Sequence, residues 1–177
     1  GLLIVSTNVE IEVKALFLKV YEFNQSSKEI WHNGQFIEFE GYTDFEDERE
    51  YFIKGKDTAD NFTASGMDGE ITYDKKILPL NYWNKDILNE KTVFDTQKGI
   101  SRDIKVQKLE DELVFINNDE IISEKFVLDA STNPKDKGPF PQYTLWYAKK
   151  NNELIKFRFI NWKDKKEVVA QRNNWKN

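Results

Sequence analysis

The dominant pattern along the chain is the alternation of apolar and charged residues. In "VEIEVK" (Val9 to Lys14), apolar side chains occupy every second position and charged side chains lie between them. "RDIKVQ" (Arg102 to Gln107) and "IKFRF" (Ile155 to Phe159) show the same period of two. This alternation predicts strands with one buried face and one face in water, which is typical of antiparallel sheets.

Turn residues separate these predicted strands. Asn33-Gly34 lies between Trp31 and "QFIEF", and this dipeptide is a strong short-range signal for a hairpin. Further turn signals recur at strand-length intervals: Asp68-Gly69, Lys98-Gly99, Glu110-Asp111, Asn117-Asn118, Asn151-Asn152 and Asp164-Lys165. We therefore predict a meander of roughly ten strands, most of them paired with their sequence neighbours.

One segment departs from this pattern and predicts a short helix. "NKDILNEK" (Asn84 to Lys91) offers Asn84 as an N-cap and Asp86 in the first turn, where the helix dipole favours a carboxylate. Ile87 and Leu88 form a small apolar face. Two turns are not stable alone, so this helix must pack on the sheet. The preceding "LPLNYW" (Leu78 to Trp83) is the corner that delivers it there.

A sheet of this many strands does not stay flat and open. The predicted fold class is therefore mainly β, an antiparallel meander that forms a strongly curved sheet or partly open barrel with one short helix. The proline-rich segment Ser131 to Gln142 predicts a loop within the same unit. We expect one β-rich domain over residues 1–177.

Composition narrows the class of partner. Aromatic residues make up 14% of the chain and all apolar residues 39%, so the core must consist of a few large side chains. Such an interior is either packed solid or able to hold an apolar ligand. The net charge of -5 argues against nucleic-acid binding, which needs a basic surface, and against electrostatic docking on anionic lipid.

Several kinds of catalytic or metal chemistry find no support in the sequence. The chain has no cysteine and a single histidine, His32, which we interpret as an exposed turn residue. Glycine-rich phosphate loops and the GxSxG elbow are absent. We predict no metal and no cofactor. The acidic cluster "FEDERE" (Phe45 to Glu50) is interpreted as a solvated loop, although paired carboxylates keep a hydrolase open as an alternative.

The candidate ligand-binding residues are asparagines and aromatics at the corner and in two strands: Asn81, Tyr82, Trp83, Asn84, Trp31 and Trp146. The tryptophan and tyrosine rings could line a hollow or stack on a ligand, and the alternative is that they belong to the core. The asparagine side chains could contact a ligand, and the alternative is that they satisfy backbone groups at a tight corner.

The chain starts Gly1-Leu2-Leu3-Ile4-Val5 without an initiator methionine. This start favours an exported protein from which a signal peptide was removed before Gly1. A residue left over from an expression tag at Gly1 is the alternative. The apolar stretch Leu2 to Val5 is too short to span a bilayer, and we expect no transmembrane segment.

The middle and end of the chain resemble an uncharacterised bacterial envelope domain family. The resemblance rests on Tyr82-Trp83-Asn84, on the turn from Thr96 to Gly99, and on Leu145-Trp146-Tyr147, with "VEIEVKALFLKVYEF…EIW" as a long first hairpin. The resemblance implies a periplasmic protein of unknown function. The family is also distantly similar to curved-sheet carriers of lipoproteins and lipids, and it supplies no catalytic residue.

These observations lead to a primary hypothesis and two alternatives. The primary hypothesis is a non-enzymatic periplasmic binding or carrier-like protein, monomeric, for a lipid or another apolar or amphiphilic small molecule. The first alternative is a structural or protein-interaction module of the bacterial envelope, with an exposed edge strand or aromatic patch as its contact surface. The second alternative is a carboxylate-based hydrolase.

Overall fold

A computed structural model describes residues 1–15, 18–45, 50–58, 60–74, 77–162 and 165–175. The chain forms two compact units, Gly1–Leu80 with Val93–Ser101 and Asn81–Thr92 with Arg102–Asn177. The expectation of one domain over the whole chain stays a prediction. Among the described residues, no helix is long and apolar enough to cross a membrane.

Strands dominate the described residues, together with one 3₁₀ helix. The strands are β1 (Leu2–Ala15), β2 (Leu18–His32), β3 (Gln35–Asp44), β4 (Tyr51–Asp57), β5 (Asn61–Gly66), β6 (Gly69–Asp74), β7 (Thr92–Asp95), β8 (Ile100–Lys108), β9 (Glu112–Ile116), β10 (Asp119–Ala130), β11 (Tyr143–Ala148), β12 (Leu154–Ile160) and β13 (Glu167–Gln171). The 3₁₀ helix spans Lys85–Asn89.

The strands pair in two antiparallel sheets. The first sheet follows the chain in the order β1-β2-β3-β4-β5-β6, which is the predicted meander. The second has the order β13-β12-β11-β10-β8-β7, and β9 also pairs with β10. The predicted turn between β2 and β3 is confirmed, since Asn33 and Gly34 both have positive φ, as a tight hairpin turn requires.

The first unit has an aromatic core. The rings of Phe36, Phe39, Phe62 and Phe94 are buried, and each lies 4.8–6.4 Å from at least two of the others, measured between centroids. Tyr73 adds a further ring, 5.6 Å from Phe94. These side chains pack against each other, so the high aromatic content of the sequence is used to fill this core.

In the second unit, β8 and β9 form one long interrupted strand beside β10. Both pair antiparallel with β10, and the backbone N–H of Leu109 in the interruption donates to the carbonyl of Lys125 at 2.8 Å. The chain therefore keeps its direction through Glu110-Asp111, and the turn predicted there is wrong. The reversal comes at Asn117-Asn118, where Asn117 has φ of 55°.

This second sheet is strongly curved. β9 and β13 are separated by β10, β11 and β12 in the pairing order, yet the Gln171 side chain of β13 donates to the Phe115 carbonyl of β9 at 2.8 Å. The Asn117 side chain also donates to the carbonyl of Asn173 at 3.0 Å. These are side-chain contacts, and no backbone ladder closes the sheet among the described residues. The predicted class, a mainly antiparallel β protein with a curved sheet and one short helix, is confirmed.

A buried ion pair fixes the predicted loop at residues 131–142. The Arg102 guanidinium donates to both carboxylate oxygens of Asp136, at 2.8 and 3.3 Å, and to the carbonyl of Ser131 at 2.8 Å. Asp136 also accepts from the backbone N–H of Asn133 at 2.8 Å. Because both side chains of the pair are almost fully buried, each depends on the other for its charge to be satisfied.

Candidate functional site

The asparagines of the predicted site satisfy the backbone of the corner. Asn84 caps the 3₁₀ helix, and its Oδ1 accepts from the backbone N–H of Asp86 at 3.0 Å. Asn81 Oδ1 accepts from the backbone N–H of Asn84 at 3.3 Å. Each asparagine thus stabilises the entry to the helix, which is the alternative that the sequence left open for these side chains.

Tyr82 places the corner on the second sheet. Its ring lies 4.5 Å from the ring of Tyr143 and 6.0 Å from that of Phe157, measured between centroids. Its carbonyl accepts from the hydroxyl of Tyr147 at 2.8 Å. Burial raises the pKa of this Tyr147 hydroxyl, so it remains a donor at any physiological pH.

A row of half-buried rings surrounds the contact between Tyr82 and Tyr143. Phe140 and Phe159 lie 5.9 and 5.0 Å from Tyr143, between ring centroids. Phe140, Phe157 and Phe159 each keep part of their surface exposed. Trp83, the next residue of the corner, is 37% exposed. Among the predicted site residues, Tyr82 and Trp83 are the two that keep both aromatic character and exposed surface.

Trp31 belongs to the first unit, unlike the other five predicted residues. It is buried in the aromatic core, 5.3 Å from the ring of Phe36 between centroids. Its indole N–H donates to the buried carboxylate of Glu29 at 3.0 Å. A polar partner for a buried indole N–H is a usual feature of a core tryptophan.

Trp146 is buried in the second unit under a layer of cations. Lys125 on β10 and Lys156 on β12 lie directly across from it in the sheet. Their ammonium groups lie 5.2 and 4.7 Å from the centre of the indole ring, and the Arg158 guanidinium lies 5.8 Å from it. Such contacts stabilise the ring by cation–π attraction. Trp146 also packs against the core around Val114.

The first sheet carries a shallow depression of about 350 Å³ on its solvent face. Its walls are the charged side chains of Glu38, Glu40, Lys54, Lys56 and Glu70, and its floor includes Gly55 and Ala64. Cross-strand pairs such as Glu40 with Lys54, 3.8 Å apart, already occupy these walls. This depression is polar, and none of the predicted aromatic site residues lines it.

The carboxylates with a resolved shift do not suit general acid catalysis. Hydrogen bonds from Lys108 and Lys85 lower the pKa of Glu124 to about 2. A hydrogen bond from Lys125 likewise lowers the pKa of Glu112. A general acid needs a raised pKa, so both shifts run in the opposite direction. The acidic cluster at 45–50 lies mostly outside the described residues.

Within the described ranges, no group of three or more histidine, cysteine, aspartate or glutamate side chains is placed to hold a metal ion. His32 is exposed beside the Asn33-Gly34 turn, as interpreted from the sequence.

The β9–β10 hairpin carries an exposed apolar surface that was not predicted from the sequence. Leu113, Phe115 and Ile122 are 50%, 57% and 58% exposed. Leu113 lies directly across from Ile122, and Phe115 lies two residues further along β9 on the same face. The opposite face of the hairpin, with Val114, is buried. The signal was "LVFI" at residues 113–116, a continuous apolar run that is typical of a strand covered on both faces.

Comparison with known proteins identifies a family to which the chain is similar. A family model described as "Domain of unknown function (DUF6134)" matches residues 1–166. No curated protein and no solved structure matches the chain.

Proposed function

This chain belongs to the DUF6134 family of domains of unknown function, and we propose that it is a non-catalytic protein-interaction module that binds a partner protein through the β9–β10 hairpin. The observation that carries this proposal is the exposed apolar face of the hairpin, formed by Leu113, Phe115 and Ile122. We call these three residues the hairpin patch.

The hairpin patch differs from scattered surface apolar residues, which need no explanation. Leu113 and Ile122 are cross-strand neighbours, so their side chains form one continuous surface with Phe115. Covering a phenylalanine or an isoleucine side chain fully contributes about 1.5–3 kcal/mol, before the costs of association. An aromatic residue beside aliphatic ones is also typical of the centre of a protein interface.

The hairpin is also a rigid support for a contact surface. Its buried face packs through Val114, Ile116 and Ile121 against Trp146. The Phe115 carbonyl is held by the Gln171 side chain, and the turn is held by the contact from Asn117 to Asn173. Because these contacts already hold the hairpin in place, binding of a partner would cost little free energy for ordering it.

Photo-crosslinking in the native host tests this proposal. A photoreactive phenylalanine analogue replaces Leu113 in one variant and Phe52, an equally apolar exposed residue on β4, in a control variant. We expect a covalent adduct with one defined protein at position 113 and not at position 52. The adduct should diminish when Phe115→Ser is added. Identical adducts at both positions, or none at 113, would refute the interaction function.

A second candidate is the binding of an amphiphilic small molecule at the row of half-buried rings around Tyr82. The observation that favours it is the partial exposure of Phe140, Phe157 and Phe159 beside Trp83. Native mass spectrometry of protein from its own host, compared with the denatured mass, tests this candidate. An extra mass that disappears on denaturation, and is lost in Phe159→Ser, would support it. A protein mass without ligand after gentle handling would count against it.

The proposed location is the bacterial envelope, with export to the periplasm. The resemblance carried by Tyr82-Trp83-Asn84 and Leu145-Trp146-Tyr147 supports this part of the proposal. Fractionation of the host, with detection of the native chain, is the direct test. Recovery in the periplasmic fraction is the expected result, and recovery with the cytosol would refute it.

A further inference from the structure

We infer that the segment which covers the hairpin patch is basic as well as apolar, a peptide segment of another protein in which lysine or arginine residues flank aliphatic or aromatic ones. This inference rests on the proposed function and specifies the chemistry of the partner. It follows from the acidic residues on and beside the hairpin and from the lysines of the same chain that form ion pairs with some of them.

The hairpin has an unbalanced charge. Residues 110–124 contain six carboxylates, from Glu110, Asp111, Glu112, Asp119, Glu120 and Glu124, and no lysine or arginine. In the rest of the chain, acidic and basic residues occur in nearly equal numbers, since the 31 acidic residues of the whole chain include these six and the basic residues number 26. The apolar patch therefore lies on a strongly acidic segment of the chain.

Lysines from other elements neutralise part of this charge. Lys149 pairs with Asp111 at 2.7 Å, and Lys125 pairs with Glu112 at 2.6 Å. Glu124 is held between two lysines. These pairs lie around the base and the sides of the hairpin. Lysines of the same chain thus neutralise Asp111, Glu112 and Glu124.

Glu120, unlike Glu112 and Glu124, is an exposed carboxylate beside the hairpin patch. It lies directly across from Phe115, so its side chain is on the same exposed face as the hairpin patch. Among the described residues, no ion pair reaches Glu120. An exposed carboxylate adjacent to an exposed phenylalanine is suited to a partner that brings a cation together with an apolar side chain.

The same charges argue against two other occupants of the patch. A second copy of this chain, bound through the same surface, would bring its own exposed Glu120 to a face that already carries this carboxylate. The surface of an anionic bilayer would also be repelled by the Glu120 carboxylate. Like charges across an interface disfavour binding, whereas a basic segment gains from the same field.

Binding of synthetic peptides tests the inference. The probe is a short fluorescent peptide that alternates lysine with isoleucine, and its binding is measured by anisotropy on the full chain. One control peptide has glutamate in place of lysine, and a second has serine in place of isoleucine. The protein variants are Phe115→Ser, Ile122→Thr and Glu120→Gln, with Phe52→Ser as the matched exposed control.

We expect the lysine–isoleucine peptide to bind more tightly than both control peptides. Phe115→Ser and Ile122→Thr should each weaken it about tenfold or more, as for residues at the centre of an interface. Glu120→Gln should weaken it about threefold and reduce its salt dependence, as for a charge at the rim. Phe52→Ser should leave the affinity unchanged.

Equal binding of the basic and acidic peptides would overturn the inference, and so would binding that Phe115→Ser leaves unchanged. Absence of binding by the basic peptide would overturn it as well. These failures are distinguishable from failure of the proposed function, because crosslinking at position 113 reports a partner of any charge. A crosslinked second copy of the chain would support an interaction module and refute a basic partner.

Discussion

The carboxylate of Glu124 ties the 3₁₀ helix to the second sheet, and its removal should have a pH-dependent cost. Glu124 on β10 accepts hydrogen bonds from Lys108 and from Lys85, the first residue of the helix. Its side chain is 17% exposed. The Lys85 ammonium group also donates a hydrogen bond to Asn152 Oδ1 at 2.8 Å, and it lies over the rings of Phe126 and Tyr147. The perturbation is Glu124→Gln, which keeps the shape and removes the charge.

The magnitude follows from the pKa of Glu124. The two lysines lower it from an ordinary value of 4.5 to about 2, a difference of about 2.5 pKa units. At 1.36 kcal/mol per unit, this difference corresponds to at most about 3 kcal/mol of stability. Lys108 is half-exposed, and solvent screens its contribution. We therefore expect Glu124→Gln to lower the free energy of unfolding by about 1–2 kcal/mol at neutral pH.

The sign of the pH dependence is fixed by the direction of the shift. Because the folded-state pKa is depressed, the stabilisation is fully present above about pH 4.5 and is lost as the pH falls towards about 2. Urea unfolding of the wild type and the variant, followed by tryptophan fluorescence over this range, measures it. Four of the five tryptophans belong to the second unit, so the signal reports mainly on the unit that contains Glu124.

The difference between the two proteins is the informative quantity, because other titrations affect both equally. It should shrink towards zero as the pH approaches 2. A difference that is constant from neutral to acidic pH would refute the reasoning, since it would reflect packing and not charge. Glu110→Gln, an exposed carboxylate of the neighbouring segment, serves as the control and should change stability by less than about 0.5 kcal/mol.

Three further predictions concern stability, each measured by urea unfolding. Asn84→Ala removes the N-cap hydrogen bond of the 3₁₀ helix and should cost about 1 kcal/mol, while Asn84→Asp keeps it. Arg102→Met leaves a buried carboxylate without its cation and should cost about 3–5 kcal/mol, with faster trypsin cleavage in the loop at 131–142. Gly55→Ala places a Cβ 2.4 Å from the ring of Phe62 and should cost about 1–3 kcal/mol by overpacking.

Each of these predictions has an outcome that contradicts it. Equal losses in Asn84→Ala and Asn84→Asp would show that the cap hydrogen bond is not the cause. Unchanged proteolysis in Arg102→Met would mean that the ion pair does not hold the loop. If Gly55→Ala is neutral while Gly34→Ala, at an open turn with φ of 81°, is the more destabilising change, backbone strain outweighs core crowding.

The local elements could be predicted because their signals are local. The Asn33-Gly34 hairpin and the cap at Asn84 depend on residues adjacent in sequence. Period-two alternation likewise identified β8 and β12, since the side chains of a strand alternate between its faces whatever its partners are. The wrong prediction of a turn at Glu110-Asp111 also came from a local signal. A pair of charged residues occurs at a turn and also where a strand is interrupted without a reversal, so the pair alone does not distinguish the two.

The candidate site depends on contacts between residues that are distant in sequence, and the spacing of residues along the chain does not predict such contacts. Tyr82 was singled out, but its partners Tyr143 and Phe157 come from strands more than sixty residues away. Trp31 and Trp146 proved to be buried among core side chains. An aromatic at strand spacing is the same signal whether it faces a core or a ligand, so sequence could not separate these roles.

The sequence by itself determined the antiparallel β class, the meander of the first sheet, the single described helix with its cap, and the acidic surface. All of these follow from side-chain period, turn chemistry and composition, which are properties of short segments. Only the tertiary structure decided which apolar residues are covered. The curvature of the second sheet folds β9 back over Trp146, so Val114 is buried while Phe115, its neighbour, is exposed. Whether a face of a strand is buried depends on what packs against it, and this packing forms only when strands distant in sequence come together in the folded protein.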